Sequence, residues 1–262
     1  MDFAIEIPVS RPEPDMRLIE GDVNTALREF VPAWTTSTLH DVEIQADRAR
    51  QVNRSEGADM LASYRSCRRG GPWGLTIKRS GIYGIAGILH QTSSLKIEPK
   101  HLIKTAYRLL YAHERFHFQV DCAFLTLELS VNGLSNTFDP MHGYNLYDTK
   151  AAHFAGYDRL EEALANARAL RYVNKELTKV GKGPDRQKLL PHIEDLLRNS
   201  PEGYRDFEVF SSKNKFFAGL DALVAPGTEL HRTPLTSGFS RLVALDNSKI
   251  NGGFVPTYIL FD

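Results

Sequence analysis

The 262-residue sequence predicts an α+β protein with a small mixed sheet, because short strand patterns flank longer helical patterns along the chain. The longest helical pattern runs from Lys100 to Ser130 without Gly or Pro, and Asn132-Gly133 follows it as a stop signal. Leu75 to Lys78 and Val255 to Phe261 have the composition of strands. A second helix and a C-terminal α+β lobe complete the predicted architecture.

Charge and composition restrict the classes of function. The chain has 32 basic and 32 acidic residues, which argues against a partner bound by bulk electrostatics, so we expect neither nucleic acid nor a membrane. No apolar run approaches the roughly 20 residues of a membrane span, and Met1 to Glu6 lacks the features of a signal peptide. Because Cys67 and Cys122 imply no disulfide framework, we expect a soluble, cytoplasmic protein.

The patterning divides the chain into three predicted segments: an irregular N-terminal segment, 1–72; a core, 73–178; and a C-terminal lobe, 179–262. Three prolines within the first 14 residues interrupt the N-terminal segment. Short helices are predicted there only at Asn24 to Phe30 and at Asp41 to Val52. In the core, strand patterns precede the long helix at Leu75 to Lys78, Ile82 to Leu89 and Leu95 to Ile97.

The long helical pattern contains His113-Glu114-Arg115-Phe116-His117, which has the form H-E-x-x-H. On a helix, His113 and His117 project from one face, and two imidazoles at this spacing can bind one Zn²⁺ at about 2.0–2.1 Å. Glu114 lies roughly 100° round the helix and can reach a water at the metal as general base. The pattern therefore predicts a zinc site with Glu114 as its catalytic residue.

A structural alternative is that these are two core histidines satisfied by backbone carbonyls, with Glu114 as a surface acid. His113 and His117 lie in the middle of the apolar stripe of the predicted helix. An imidazole left without a partner there would cost about 1–3 kcal/mol. Because a metal ion supplies the partner for both rings, we favour the metal site.

A strand region followed by an H-E-x-x-H helix resembles the zincin metallopeptidases. A second helical pattern, Asp158 to Lys179, contains Glu161-Glu162-Ala163-Leu164-Ala165-Asn166, which is similar to the N-E-x-x-A-D pattern of the gluzincin branch. This resemblance covers residues 75 to 178 and implies a zincin-like core in which Glu162 is the third zinc ligand. Asn166 stands where gluzincins have Asp, so it can accept a hydrogen bond from a ligand histidine but adds no negative charge.

Two other zincin branches do not fit. Metzincins require Gly and His where this chain has Val120 and Ala123, and the aspzincin pattern G-T-x-D-x-x-Y-G does not occur.

On a helical wheel Glu162 and Asn166 share a face, whereas Glu161 points about 100° away. The gluzincin resemblance therefore assigns the third ligand to Glu162 rather than to Glu161.

Alternatives to Glu162 stay open. The structural alternative is a solvent-facing Glu162 paired with Arg159. Three other residues could be the third ligand: His142, His153 and Asp158. The resemblance also implies a side chain that stabilises the oxyanion, and the candidates are His142, Tyr144, Tyr147, Tyr157, His192 and His231.

In zincins an edge strand beside the zinc helix binds extended substrate by backbone hydrogen bonds. We expect Ile82 to Leu89 to be that strand, since it has the strongest strand pattern before the helix. Gly84 and Gly87 within it would leave room for a peptide backbone. A peptide added there would place its carbonyl near the predicted zinc site.

The C-terminal lobe carries no catalytic signature. Its predicted helices are Arg186 to Asn199, Pro201 to Val209 and Lys213 to Val224. Ala225-Pro226-Gly227 is predicted to end the last helix. Strands are predicted at Glu229 to Arg232, Arg241 to Leu245 and Val255 to Phe261, and Pro256 marks the last as an edge strand.

The favoured hypothesis is a zinc-dependent hydrolase. Within this class we favour a metallopeptidase that cleaves a protein or peptide substrate. His113, His117 and Glu162 would bind Zn²⁺, and Glu114 would act as general base. One alternative is a zincin-like binding module that captures a protein partner without cleaving it. Another is a metallohydrolase that acts on the amide or ester of a small molecule.

Overall fold

The computed structural model describes residues 16–18, 39–57, 61–66, 73–93, 97–132, 157–178, 188–231 and 255–261. The strands in these ranges are β1 (Met16–Leu18), β2 (Ala62–Arg65), β3 (Gly74–Lys78) and β4 (Thr257–Leu260). The α-helices are α1 (Leu39–Ser55), α2 (Arg79–Thr92), α3 (Pro99–Asn132), α4 (Tyr157–Leu177), α5 (Leu190–Arg198) and α6 (Lys213–His231). A 3-10 helix spans Tyr204–Phe210. The fold is therefore mixed α+β and mostly helical in its described part.

A four-stranded sheet has the order β1-β4-β3-β2. Strand β4 runs antiparallel to β1 and parallel to β3, and β2 runs antiparallel to β3, so the predicted small mixed sheet is confirmed. The prediction of an edge strand at Val255 to Phe261 is wrong, because β4 has a partner on each side. Pro256 is tolerated because it precedes the first strand residue, and its carbonyl accepts a hydrogen bond from the N–H of Leu75 at 2.8 Å.

The strand predicted at Ile82 to Leu89 is also wrong, since these residues lie within α2. Every residue of this run except Tyr83 is buried. Because this run is buried on nearly all sides, it has no continuous polar face, and its apolar pattern is easily mistaken for that of a strand. The predicted peptide-binding groove along Ile82 to Leu89 is ruled out with it.

Helix α2 packs closely against α1. A Cβ atom built on Gly84 would lie 2.4 Å from the Cβ of Ala49, and one on Gly87 would lie 2.9 Å from the Cβ of Ala46. Both contacts are shorter than side chains allow, so these two glycines let the helix backbones approach each other. The close backbone approach that was predicted at Gly84 and Gly87 exists, but the approaching chain is α1.

The two helices predicted to carry the metal site are present. Helix α3 includes all of the predicted Lys100 to Ser130, and α4 matches the predicted second helix. The two helices pack against each other, and α3 also packs on α2 and on strands β2 and β3. The helix predicted at Asp41 to Val52 corresponds to α1.

Helix α6 corrects the prediction for the C-terminal lobe. It continues through Pro226 and Gly227 to His231, where a strand was expected to begin at Glu229. Pro226 removes one backbone hydrogen bond without ending the helix. Ile97 is likewise not in a strand. The predicted elements at Asn24 to Phe30 and Arg241 to Leu245 lie outside the described residues.

The sheet combines strands from all three predicted segments. Strands β1 and β2 come from residues 1–72, β3 comes from the core, and β4 comes from the C-terminal lobe. Residues 1–72 therefore contribute regular structure to the fold, including all of α1. In the described part of the chain, no helix is both long enough and apolar enough to cross a membrane.

Candidate metal centre

Helices α3 and α4 bring the predicted ligands together. His113 and His117 lie one turn apart on α3, and Glu162 reaches both from α4. The fully buried Ala165 and Ala169 on α4 have side chains small enough for the two helices to pack closely. The structural alternative of a solvent-facing Glu162 paired with Arg159 is not observed. The side chain of Glu162 is 12% exposed, and Arg159 pairs with Glu202 at 2.7 Å.

The three ligand atoms are spaced as a metal ion requires. His113 Nε2 lies 3.1 Å from Glu162 Oε2 and 3.3 Å from His117 Nε2, and the third separation, His117 Nε2 to Glu162 Oε2, is 3.6 Å. Tetrahedral Zn²⁺ with bonds of about 2.0–2.1 Å has ligand atoms about 3.3–3.4 Å apart. Glu162 Oε2 is buried and makes no hydrogen bond of acceptable geometry, although both imidazoles are close. Such convergence fits one shared cation.

Asn166 contacts the Nδ1 side of the His113 ring, away from Glu162. His113 Nδ1 lies 2.9 Å from Asn166 Oδ1, and both side chains are only 1% exposed. With its Nδ1 proton donated to this oxygen, a neutral His113 leaves the Nε2 lone pair for a metal. Asn166 therefore takes the position at which the gluzincin resemblance placed a partner of the ligand histidine.

His117 is supported by Glu161, contrary to the expectation that Glu161 points away from the site. Glu161 Oε1 lies 2.7 Å from His117 Nδ1. The two nitrogens of one imidazole are on different sides of the ring, so adjacent residues of α4 can contact both. Glu161 contacts Nδ1 of His117, and Glu162 faces its Nε2. The Nε2 atoms of His113 and His117 therefore both face Glu162.

Glu114 is buried, with 1% of its surface exposed. The structural alternative that treated it as a surface acid is therefore wrong. A carboxylate is rarely buried without a compensating partner or a functional reason, because it loses its hydration. Glu114 is also the residue that the H-E-x-x-H pattern predicts as general base.

The charges of the site oppose the effect of burial. Burial alone would lower the pKa of His117, but the charge of Glu162 and the hydrogen bond with Glu161 raise it well above its usual range. Burial alone would raise the pKa of Glu162, but His117 and the contact with His113 hold it well below its usual range. Glu162 is thus anionic near neutral pH, and a metal ion bound here would compete with a proton for His117.

Other predicted site residues are not brought to the centre by any described contact. His142, His153, Tyr144 and Tyr147 lie outside the described residues. Asp158, Tyr157 and His231 lie in described helices whose side chains are not described at those positions. His192 is half-buried in α5.

Sequence reasoning missed Tyr204. Its ring stacks on that of His113, with centroids 6.1 Å apart and planes inclined by 9°. Its backbone carbonyl accepts a hydrogen bond from Asn166 Nδ2 at 2.8 Å. No sequence signal links Tyr204 to the motif, because a backbone carbonyl can be supplied by any residue type.

Comparison with known proteins gives no relative: neither a protein-family model, nor a curated protein, nor a solved structure matches the chain.

Proposed function

We propose that the protein is a zinc-dependent hydrolase whose metal ligands are His113, His117 and Glu162. The observation that carries the proposal is the convergence of their three ligand atoms at separations of 3.1, 3.3 and 3.6 Å. The donor set of two imidazoles and one carboxylate is that of catalytic zinc sites, which keep a fourth position for water or substrate.

Each chain residue has a separate role in the proposed reaction. Asn166 and Glu161 orient the two imidazoles. Glu114 takes a proton from the attacking water and passes it to the leaving amine. When bound, Zn²⁺ supplies Lewis-acid chemistry, which makes water nucleophilic at neutral pH and polarises the substrate carbonyl.

Two observations bear on the choice of class. Glu114, next to the proposed ligand His113, is buried, with 1% of its surface exposed. A metal site that only stabilised a binding module would not require such a buried carboxylate. This favours an enzyme over a binding module. A protein or peptide is the proposed substrate because of the resemblance of the two motifs to gluzincins, and an amide or ester of a small molecule is the alternative within the hydrolase class.

Metal analysis and one isosteric substitution test the proposal. Protein purified without chelator should contain about one Zn²⁺ per chain. Glu114→Gln should keep the zinc while lowering hydrolysis of an unfolded protein such as casein by roughly 100-fold, because a general base contributes about that much. Glu43→Gln, at an exposed position on α1, is the matched control and should keep full activity.

Three results would contradict the proposal in different ways. Wild-type protein that neither contains nor takes up zinc removes the metal site. Full activity in Glu114→Gln removes Glu114 as the base. Zinc-loaded wild-type protein that cleaves neither casein nor small amides and esters favours the binding module.

A further inference from the structure

Tyr204 is fixed beside the candidate metal centre by glycines. A Cβ atom on Gly57 would lie 2.6–2.8 Å from the Tyr204 ring, so the ring is held between Gly57 and His113. Gly57 and Gly203 have φ of 84° and 92°, which side chains rarely adopt. A Cβ on Gly203 would lie 2.7 Å from the Cα of Arg159 on α4. Both the ring and the backbone of Tyr204 are therefore placed closely against the helices of the site.

The Tyr204 carbonyl determines the orientation of the Asn166 amide. A carbonyl oxygen can only accept a hydrogen bond, so the group of Asn166 that faces it at 2.8 Å must be the NH₂. The amide oxygen must then face His113, 2.9 Å away. Because that oxygen can only accept, the proton of a neutral His113 is on Nδ1 and the lone pair is on Nε2.

We propose that Tyr204 is a positioning residue of the metal centre, which acts through Asn166 to hold His113 in the tautomer that binds metal through Nε2. The inference rests on the metal centre of the proposed function but not on the reaction. It explains why an amide rather than a carboxylate occupies position 166. An Asp there could accept from His113 equally well, but it would place a second acceptor against the Tyr204 carbonyl.

Asn166→Asp tests the inference, because the two views predict opposite results. If position 166 needed only an acceptor for His113, a carboxylate would serve as well or better, since carboxylates are frequent partners of ligand histidines. If the Tyr204 carbonyl requires a donor, the zinc affinity should fall by about 10-fold or more. The affinity is measured by competition with a chromogenic zinc chelator and needs no activity assay.

Asn174→Asp is the matched control, since Asn174 is exposed on the same helix two turns further on. It adds the same charge and should leave the zinc affinity unchanged. Thermal unfolding, measured with and without zinc, separates positioning from folding. The Tm of the metal-free protein reports on folding alone. The rise in Tm produced by zinc should be smaller in Asn166→Asp than in wild type and Asn174→Asp. Zinc binding by Asn166→Asp that is as tight as in wild type would overturn the inference.

A measurement on the wild-type protein covers the case in which Asn166→Asp does not fold. In zinc-loaded protein, long-range ¹H–¹⁵N spectra should show His113 bound through Nε2 with a proton on Nδ1. Zinc bound through Nδ1 would overturn the inference while leaving the metal site intact. Absence of zinc binding in wild type would instead remove the proposed function on which the inference rests.

Discussion

At the scale of single residues, Glu161 and Glu162 show how adjacent carboxylates divide two tasks. Both contact His117, but at different nitrogens: Glu161 Oε1 is 2.7 Å from Nδ1, and Glu162 Oε2 is 3.6 Å from Nε2. Only Glu162 also approaches His113, at 3.1 Å. In the proposed metal centre Glu162 is therefore the candidate ligand, and Glu161 is placed to orient the imidazole of His117.

We predict that isosteric substitutions will separate these tasks. Glu161→Gln should weaken zinc binding by about 10–100-fold, because it replaces a charged partner of a ligand histidine by a neutral one. Glu162→Gln should weaken it further, because it removes an anionic ligand. Chelator competition measures both, with the exposed Glu43→Gln as control. A larger loss in Glu161→Gln than in Glu162→Gln would exchange the two assignments.

The three residues that come together at the candidate metal centre could be predicted because each belongs to a local pattern. His113, Glu114 and His117 are fixed by helical spacing, and Glu162 by a second short motif. The orienting groups could not be predicted in the same way. The angle between neighbouring residues predicts that Glu161 points away from the site, but it does not account for the two nitrogens on different sides of an imidazole. Tyr204 contributes a backbone carbonyl, which any residue type could supply.

At the scale of elements, α2 shows where periodicity loses its value. Its isoleucines at 82, 85 and 88 and its glycines at 81, 84 and 87 recur every three residues, which is compatible with a helix. However, the helix is buried on nearly all sides, so the contrast between polar and apolar faces that identifies a surface helix is missing. The β-branched isoleucines then favour a strand. By contrast, α3 and α4 keep polar positions and were predicted with nearly correct bounds.

Gly84→Val should destabilise the fold rather than affect a substrate groove. The new side chain would meet the Cβ of Ala49 at 2.4 Å and the carbonyl oxygen of Gln45 at 2.8 Å, so α1 and α2 would have to separate. We expect a loss of about 1–3 kcal/mol or more in the free energy of unfolding. Urea denaturation measures it, and Glu43→Val at an exposed position of α1 controls for the β-branched side chain. Unchanged stability would contradict the packing of α1 against α2.

At the scale of the whole molecule, the sheet joins parts of the chain that are far apart in sequence. Strand β4, near the C-terminal end, lies between β1, near the N-terminal end, and β3, which directly precedes α2. Helix α3, which carries His113 and His117, packs on β2 and β3 of the same sheet. Local patterns cannot reveal such pairings, because strand composition indicates that a strand forms but not which strand lies beside it. The division into segments 1–72, 73–178 and 179–262 stays a prediction.

Ile259→Ala tests whether β4 stabilises the molecule that carries the metal centre or only a separate C-terminal lobe. Ile259 is 0% exposed, and it pairs with Arg17 of β1 and Ile77 of β3. Its truncation should lower the free energy of unfolding by about 2–5 kcal/mol. The same substitution at Ile44, which is 52% exposed, should change it by less than about 0.5 kcal/mol.

The decisive measurement follows unfolding with two probes, far-ultraviolet circular dichroism for the helices and release of bound zinc for the metal centre. If the sheet supports α3, both probes should shift together to lower urea concentration in Ile259→Ala, because loss of β4 packing weakens the β3 strand on which α3 rests. A shift of the circular dichroism transition with no change in zinc release would show that the C-terminal lobe unfolds independently, as the predicted segment boundary at residue 179 implies.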